Sequence, residues 1–94
     1  MARTALKMKH PYIVTRKGYC GGHPVIVGTK FPVRSVVTYI LRQGMTPEEV
    51  VKEFGHVTLA QLHDALSYYY DHQAEIDSEI EENTEERVRD QLGH

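Results

Sequence analysis

Apolar residues recur along this chain with more than one rhythm, and each change of rhythm marks an element. Pro11-Tyr12-Ile13-Val14 and Val25-Ile26-Val27 are short β-rich runs beside glycine-bearing loops, Gly18 to Gly22 and Gly28-Thr29, and predict two strands. Phe31-Pro32-Val33 is extended, because the residue before a proline is driven out of the helical region. Val33, Val36, Val37, Ile40 and Leu41 then follow helical spacing and predict a helix over 34–43, with Ser35 as its cap and Gly44 as its stop. Val50, Val51 and Phe54 predict a second helix over 47–54. Leu59, Leu62, Leu66 and Tyr69, flanked by Ala65 and Tyr70, predict a third to about His72. Three stripes of this width close one core, with the small Ala65 allowing close approach. Strands this short cannot stand alone in water, so they must pack on the helices or pair with a second copy.

The stretch from Met45 to Asp71 organises the rest. Thr46-Pro47-Glu48-Glu49 places a hydroxyl at an N-cap, proline at the first helical position and glutamate three residues after the cap. Thr58-Leu59-Ala60-Gln61 repeats the same logic. Gly55 between them can end the first of these helices in a left-handed turn. A short helix, a glycine turn and a longer helix predict a helix-turn-helix, with a slightly lengthened turn because His56 stands where an apolar residue is expected and Val57 follows.

From Ala74 onward the composition becomes acidic and loses its aromatic residues. Ile76, Ile80, Val88 and Leu92 lie four or eight apart. That stripe is too narrow to bury in its own domain and predicts a fourth helix that docks on a partner, against the alternative of a solvated tail. The expected fold class is therefore mainly α: a three-helix helix-turn-helix domain with a short N-terminal β-hairpin and an acidic C-terminal helix. Residues 1–10 form a basic arm, 11–73 the domain and 74–94 the acidic helix or tail.

Charge sharpens this division. Residues 1–43 carry eight basic and no acidic side chains, and residues 44–94 carry three basic and all thirteen acidic ones, about +8 against −10. The asymmetry suggests a nucleic-acid face with a separate acidic tail, or two halves that neutralise each other within one chain or across a dimer. Ninety-four residues make a thin core, which favours association, and a homodimer is expected. No apolar run approaches a membrane span, and a single cysteine fits a reducing compartment, so a cytoplasmic location is expected.

Candidate chemistry follows from these placements. Six histidines and Cys20 invite a metal, but Cys20 and His23 offer two ligands with no second pair, so neither a metal, a cofactor nor an enzymatic role is expected. For DNA contact the candidates are Arg16, Lys17, Lys30 and Arg34 toward phosphates, and Gln61 and His63 toward base edges. Asp64, Asp71 and the glutamates of the preceding helix oppose that reading. Tyr68, Tyr69 and Tyr70 spread over about 200° of one helix. Tyr69 therefore fills the core while Tyr68 or Tyr70 faces a partner, together with Ile76, Ile80 and Val88.

Three segments in order also resemble a known family. Cys20-Gly21-Gly22-His23-Pro24-Val25-Ile26-Val27-Gly28-Thr29-Lys30-Phe31-Pro32-Val33 looks like the hallmark of the bacterial and archaeal "domain of unknown function 433". Gly44-Met45-Thr46-Pro47-Glu48-Glu49 and Ala65-Leu66-Ser67-Tyr68-Tyr69-Tyr70-Asp71-His72-Gln73-Ala74-Glu75-Ile76 are similar to its middle and final motifs. The resemblance spans Tyr12 to Ile76, with His23 and Lys30 replacing the usual lysine and arginine. It implies a helix-turn-helix-class domain similar to VapB-type antitoxin modules, whose members often neighbour PIN-like ribonuclease toxins. The function expected on this ground is an antitoxin-like regulator that binds operator DNA and a PIN-like toxin. The alternative is a protein-interaction module that uses the same scaffold without binding DNA.

Overall fold

The computed structural model describes residues 9–15, 17–18 and 20–92, with side chains for all of these except Cys20 and 84–92. Strand β1 (Ile13–Val14) pairs antiparallel with β2 (Val25–Ile26), Ile13 opposite Ile26 and Val14 opposite Val25. An isolated bridge from Val25 to Pro32 leads the chain into α1 (Val33–Val37). A π-helical turn (Thr38–Arg42) continues α1, and α2 (Pro47–Phe54), α3 (Leu59–Asp71) and α4 (Gln73–Leu92) complete a mainly helical architecture with a two-stranded hairpin.

Both expected capping boxes form. Thr46 Oγ1 accepts from the Glu49 amide at 3.1 Å while Glu49 Oε1 accepts from the Thr46 amide at 2.8 Å. Thr58 and Gln61 repeat this at 3.1 and 2.9 Å. Two orphan amides are satisfied at each helix start, which fixes where α2 and α3 begin. Gly55, at φ 70°, ends α2 in the left-handed region with its amide bonded to the Val51 carbonyl at 2.8 Å. Val57 then takes the buried place after the turn and His56 stays outside.

The first helix departs from expectation. It starts at Val33 behind Pro32, which supplies no capping side chain, so Ser35 is inside the helix rather than its cap. Beyond Val37 the helix widens, and the Gln43 amide reaches back five residues to the Thr38 carbonyl at 2.9 Å. The apolar stripe breaks there: Val33, Val36 and Val37 are buried, Ile40 is partly buried and Leu41 is exposed.

The core joins Ile13, Ile26 and Phe31 of the hairpin region to Val36, Val37, Val50, Leu62, Ala65 and Tyr69 of the helices. It also contains Ile76 and Ile80, at 0% and 6% exposure. The expectation that the α4 stripe is too narrow to bury in its own domain is therefore corrected for these two residues. The reason is local: His72, at φ −133° and ψ 40°, breaks the helix for a single residue. Its amide still bonds the Tyr68 and Tyr69 carbonyls at 3.0 Å, and the Ile76 amide bonds the His72 carbonyl at 3.1 Å. The kink turns the start of α4 back onto α1, and its first turns become a fourth wall. No described helix is long and apolar enough to cross a membrane.

Because Ile76 is wholly enclosed, Ile76→Ala should lower unfolding free energy by about 2–5 kcal/mol in a urea titration, as for other buried aliphatic truncations. An effect within about 0.5 kcal/mol, the level of a surface change, would remove α4 from the core.

Candidate functional site

The most tightly specified polar arrangement lies where the N-terminal segment crosses α3. Asp64 and Asp71 are seven residues apart and therefore share one helix face. His10 sits between them, 9% exposed, with Nδ1 3.1 Å from Asp64 Oδ1 and Nε2 2.7 Å from Asp71 Oδ2. The Tyr12 amide donates to Asp64 Oδ2 at 2.8 Å, and Lys9 Nζ lies 3.3 Å from Asp71 Oδ2. Ionised carboxylates only accept, so both ring nitrogens of His10 donate when both aspartates are charged. The hydrogen bonds from His10 and then Lys9 hold the Asp71 carboxyl below its ordinary 3.8. Tyr68 closes the site, its ring 5.2 Å from His10 and 4.2 Å from His72.

This clamp bears on two expectations. The basic arm was expected to run through residue 10; Lys9 and His10 are instead pinned to the domain, and 1–8 lie outside the described residues. The two aspartates that opposed a nucleic-acid face are engaged by cationic or N–H groups of the same chain. His10 carried no motif. Its signal was indirect: two aspartates at helical repeat with no cation on α3 to meet them.

A second polar cluster joins α1 to α4. Arg34 Nη1 lies 3.7 Å from Glu79 Oε1, and His23 Nδ1 lies 3.4 Å from Glu79 Oε2. Arg42 Nη2 meets Asp77 Oδ1 at 3.3 Å, and the Tyr69 hydroxyl donates to the same oxygen at 2.8 Å. Burial, followed by that hydrogen bond, pushes the Tyr69 phenol above 10.0, so it remains a donor. Arg34 is thus turned toward a carboxylate of its own chain, and the two oppositely charged halves neutralise each other in cis at Lys9, Arg34 and Arg42.

The remaining expected site residues divide as follows. Lys17, Lys30 and His63 are exposed, as are Ala60 and Ser67 on α3 and Lys52 on α2. Gln61 commits its carbonyl oxygen to the cap of α3. Arg16 lies outside the described residues, as does the side chain of Val88. Tyr70 is 59% exposed, whereas Tyr68 is partly buried under His10 and His72. Ile76 and Ile80 are enclosed by the domain and are not presented to a partner, which corrects their placement at a docking surface. Among the described residues no group of three or more His, Cys, Asp or Glu side chains is arranged to hold a metal ion.

A small domain in which a β-hairpin and three helices are closed by an acidic fourth helix is the class these features define. Residues 13–69 match the family model described as "Protein of unknown function (DUF433)", and the chain belongs to that family. It is also similar to a solved structure of a DUF433 member from Anabaena variabilis ATCC 29413. The two are 32% identical over 84% of this chain and 77% of that one, with a TM-score of 0.71. Among curated proteins none matches.

The Asp71 contacts give a pH dependence with a definite sign. Its folded-state carboxyl titrates below 3.8, so the contribution is present above that value and is lost as pH falls through the lower folded value. Asp71→Asn should flatten the acid limb of stability measured by denaturant midpoint between about pH 5 and pH 2. An unchanged acid limb would mean that the clamp does not hold in solution.

Proposed function

We propose that the chain is a non-enzymatic, cytoplasmic, antitoxin-like regulator on a helix-turn-helix scaffold, acting as a dimer on operator DNA and on a PIN-like toxin. In this reading α2, the Gly55 turn and α3 form the DNA-binding unit. The observation that carries it is the His10 clamp. It anchors Lys9 and His10 against α3, and it occupies the two aspartates that would otherwise repel phosphate. The solvent-facing His63, Ala60 and Ser67 are then the base-side residues, with Lys17 and Lys30 toward phosphates. Arg3 and Lys7, which lie outside the described residues, would add phosphate contacts, as basic N-terminal arms do in other helical DNA-binding folds. For the toxin, exposed Tyr70 and the far part of α4, including Val88, form the docking surface, while Ile76 and Ile80 hold α4 in place.

A second reading, a protein-interaction module that does not bind DNA, is favoured by one specific observation. Arg34 and Arg42 face Glu79 and Asp77 of the same chain, and Glu48, Glu49 and Glu53 are exposed on α2. The two readings part on salt. A mobility shift on the protein's own promoter should give a complex whose affinity falls by ~10³ or more between 50 and 200 mM salt, for about six phosphate contacts. Removing residues 1–8, or replacing Lys17 and Lys30 by glutamine, should weaken it and shallow the salt slope. Loss of toxin binding on Tyr70→Ala, with no salt-sensitive DNA complex at any protein concentration, favours the second reading.

A further inference from the structure

The side of α3 turned to solvent carries no carboxylate, lysine or arginine. Leu59, Ala60, His63, Ser67 and Tyr70 are exposed and, at 100° per residue, fall within about 100° of the helix circumference. Asp64 and Asp71 stand just beyond that arc, turned toward the N-terminal segment. His10 and the Tyr12 amide take one Asp64 oxygen each, and Asp71 Oδ2 meets His10 and Lys9. Lys9, its side chain 78% exposed, therefore borders the face as a cation. Leu59 and Ala60 are the first two residues of α3, and Leu59 is 41% exposed.

We infer that this face reads thymine methyl groups in the major groove, with Leu59 and Ala60 as the methyl-contacting residues. The inference rests on the helix-turn-helix reading above and names what that helix recognises. Guanine is read chiefly by Arg or Lys, and adenine by a two-point contact from Asn or Gln. α3 holds no arginine, lysine or asparagine. The carbonyl oxygen of its one glutamine, Gln61, is held at the helix start by the Thr58 amide at 2.9 Å, which takes it out of a two-point adenine contact. The first residues of a recognition helix are the ones that reach base edges. Here they offer two apolar side chains, with His63 one turn on as the hydrogen-bonding group. The thymine C5-methyl is the apolar mark in the major groove that such side chains meet. The small Ala60 and Ser67 allow close approach along the Lys9 side. Tyr70 lies about 16 Å further along the helix and stays clear of that contact. An uncharged face also suits a protein partner, but the Lys9 cation at its border and the occupied aspartates favour a polyanion. Each methyl covered is worth about fourfold in affinity.

The test is a mobility shift of the full chain on two duplexes of the protein's own promoter, one natural and one with deoxyuridine at every thymine. Deoxyuridine removes the methyl and keeps the pairing edge and the backbone charge. The uracil duplex should bind about tenfold or more weakly, for two or more methyls covered, with the slope of affinity against salt unchanged. Leu59→Ala should cut that preference by about threefold or more. Leu59→Gln, which keeps the length of the side chain, should do the same with an unchanged denaturant midpoint. Equal, salt-sensitive binding of both duplexes by the wild-type chain overturns the methyl readout and leaves DNA binding standing. A thymine preference undiminished in both Leu59 variants also overturns it, because the methyls are then felt by another surface. No salt-sensitive complex with either duplex overturns the inference together with the DNA-binding reading, and gives this face to a protein partner.

Discussion

The acidic end of this chain folds against its basic end, and the architecture depends on that contact. A one-residue break at His72 turns α4 back so that Ile76 and Ile80 enter the core. The same turn brings Asp77 and Glu79 to Arg42 and Arg34. The apolar part supplies the stability. Exposed ion pairs such as Arg42–Asp77 contribute little by themselves, while separating the less exposed Arg34 and Glu79 would leave poorly hydrated charges. Hydrophobic burial therefore sets the position of α4, and charge complementarity sets which helix it meets.

The second tie between the halves is smaller and more directional. His10 offers a ring nitrogen to each of two carboxylates, and the Tyr12 amide completes Asp64. Hydrogen bonds to charged groups are about twice as strong as neutral ones. The tie thus orders the segment leading into β1 without an apolar anchor of its own. It also converts two acidic positions on α3 from a repulsive face into a structural joint, which is why the charge of α3 read residue by residue misleads.

Membership of DUF433 matches the middle of the chain, residues 13–69. The clamp residues before Ile13 and α4 (Gln73–Leu92) lie on either side of that match. The His10 clamp and the Arg34–Glu79 and Arg42–Asp77 pairs use residues from those flanks, joined to positions within it: Asp64 on α3, and Arg34 and Arg42 on the first helix.

Local chemistry was sufficient for α2 and α3. Two capping boxes, a proline at N1 and a glycine able to take φ 70° specify helix starts and the turn without help from elsewhere, and the expected bounds match within a residue. The hairpin was legible for the same reason, in β-branched runs bounded by turns. The α4 docking, the π-turn and the His10 clamp were not. The kink at His72 has no proline or glycine to announce it, and the width of the α1 turn leaves no mark in residue type. The partners His10–Asp64 and Arg34–Glu79 are 54 and 45 positions apart. Sequence by itself determined where helices start and stop, because caps act over three or four residues. Tertiary structure decided which charges remain available, because pairing depends on distances that only the packed core sets.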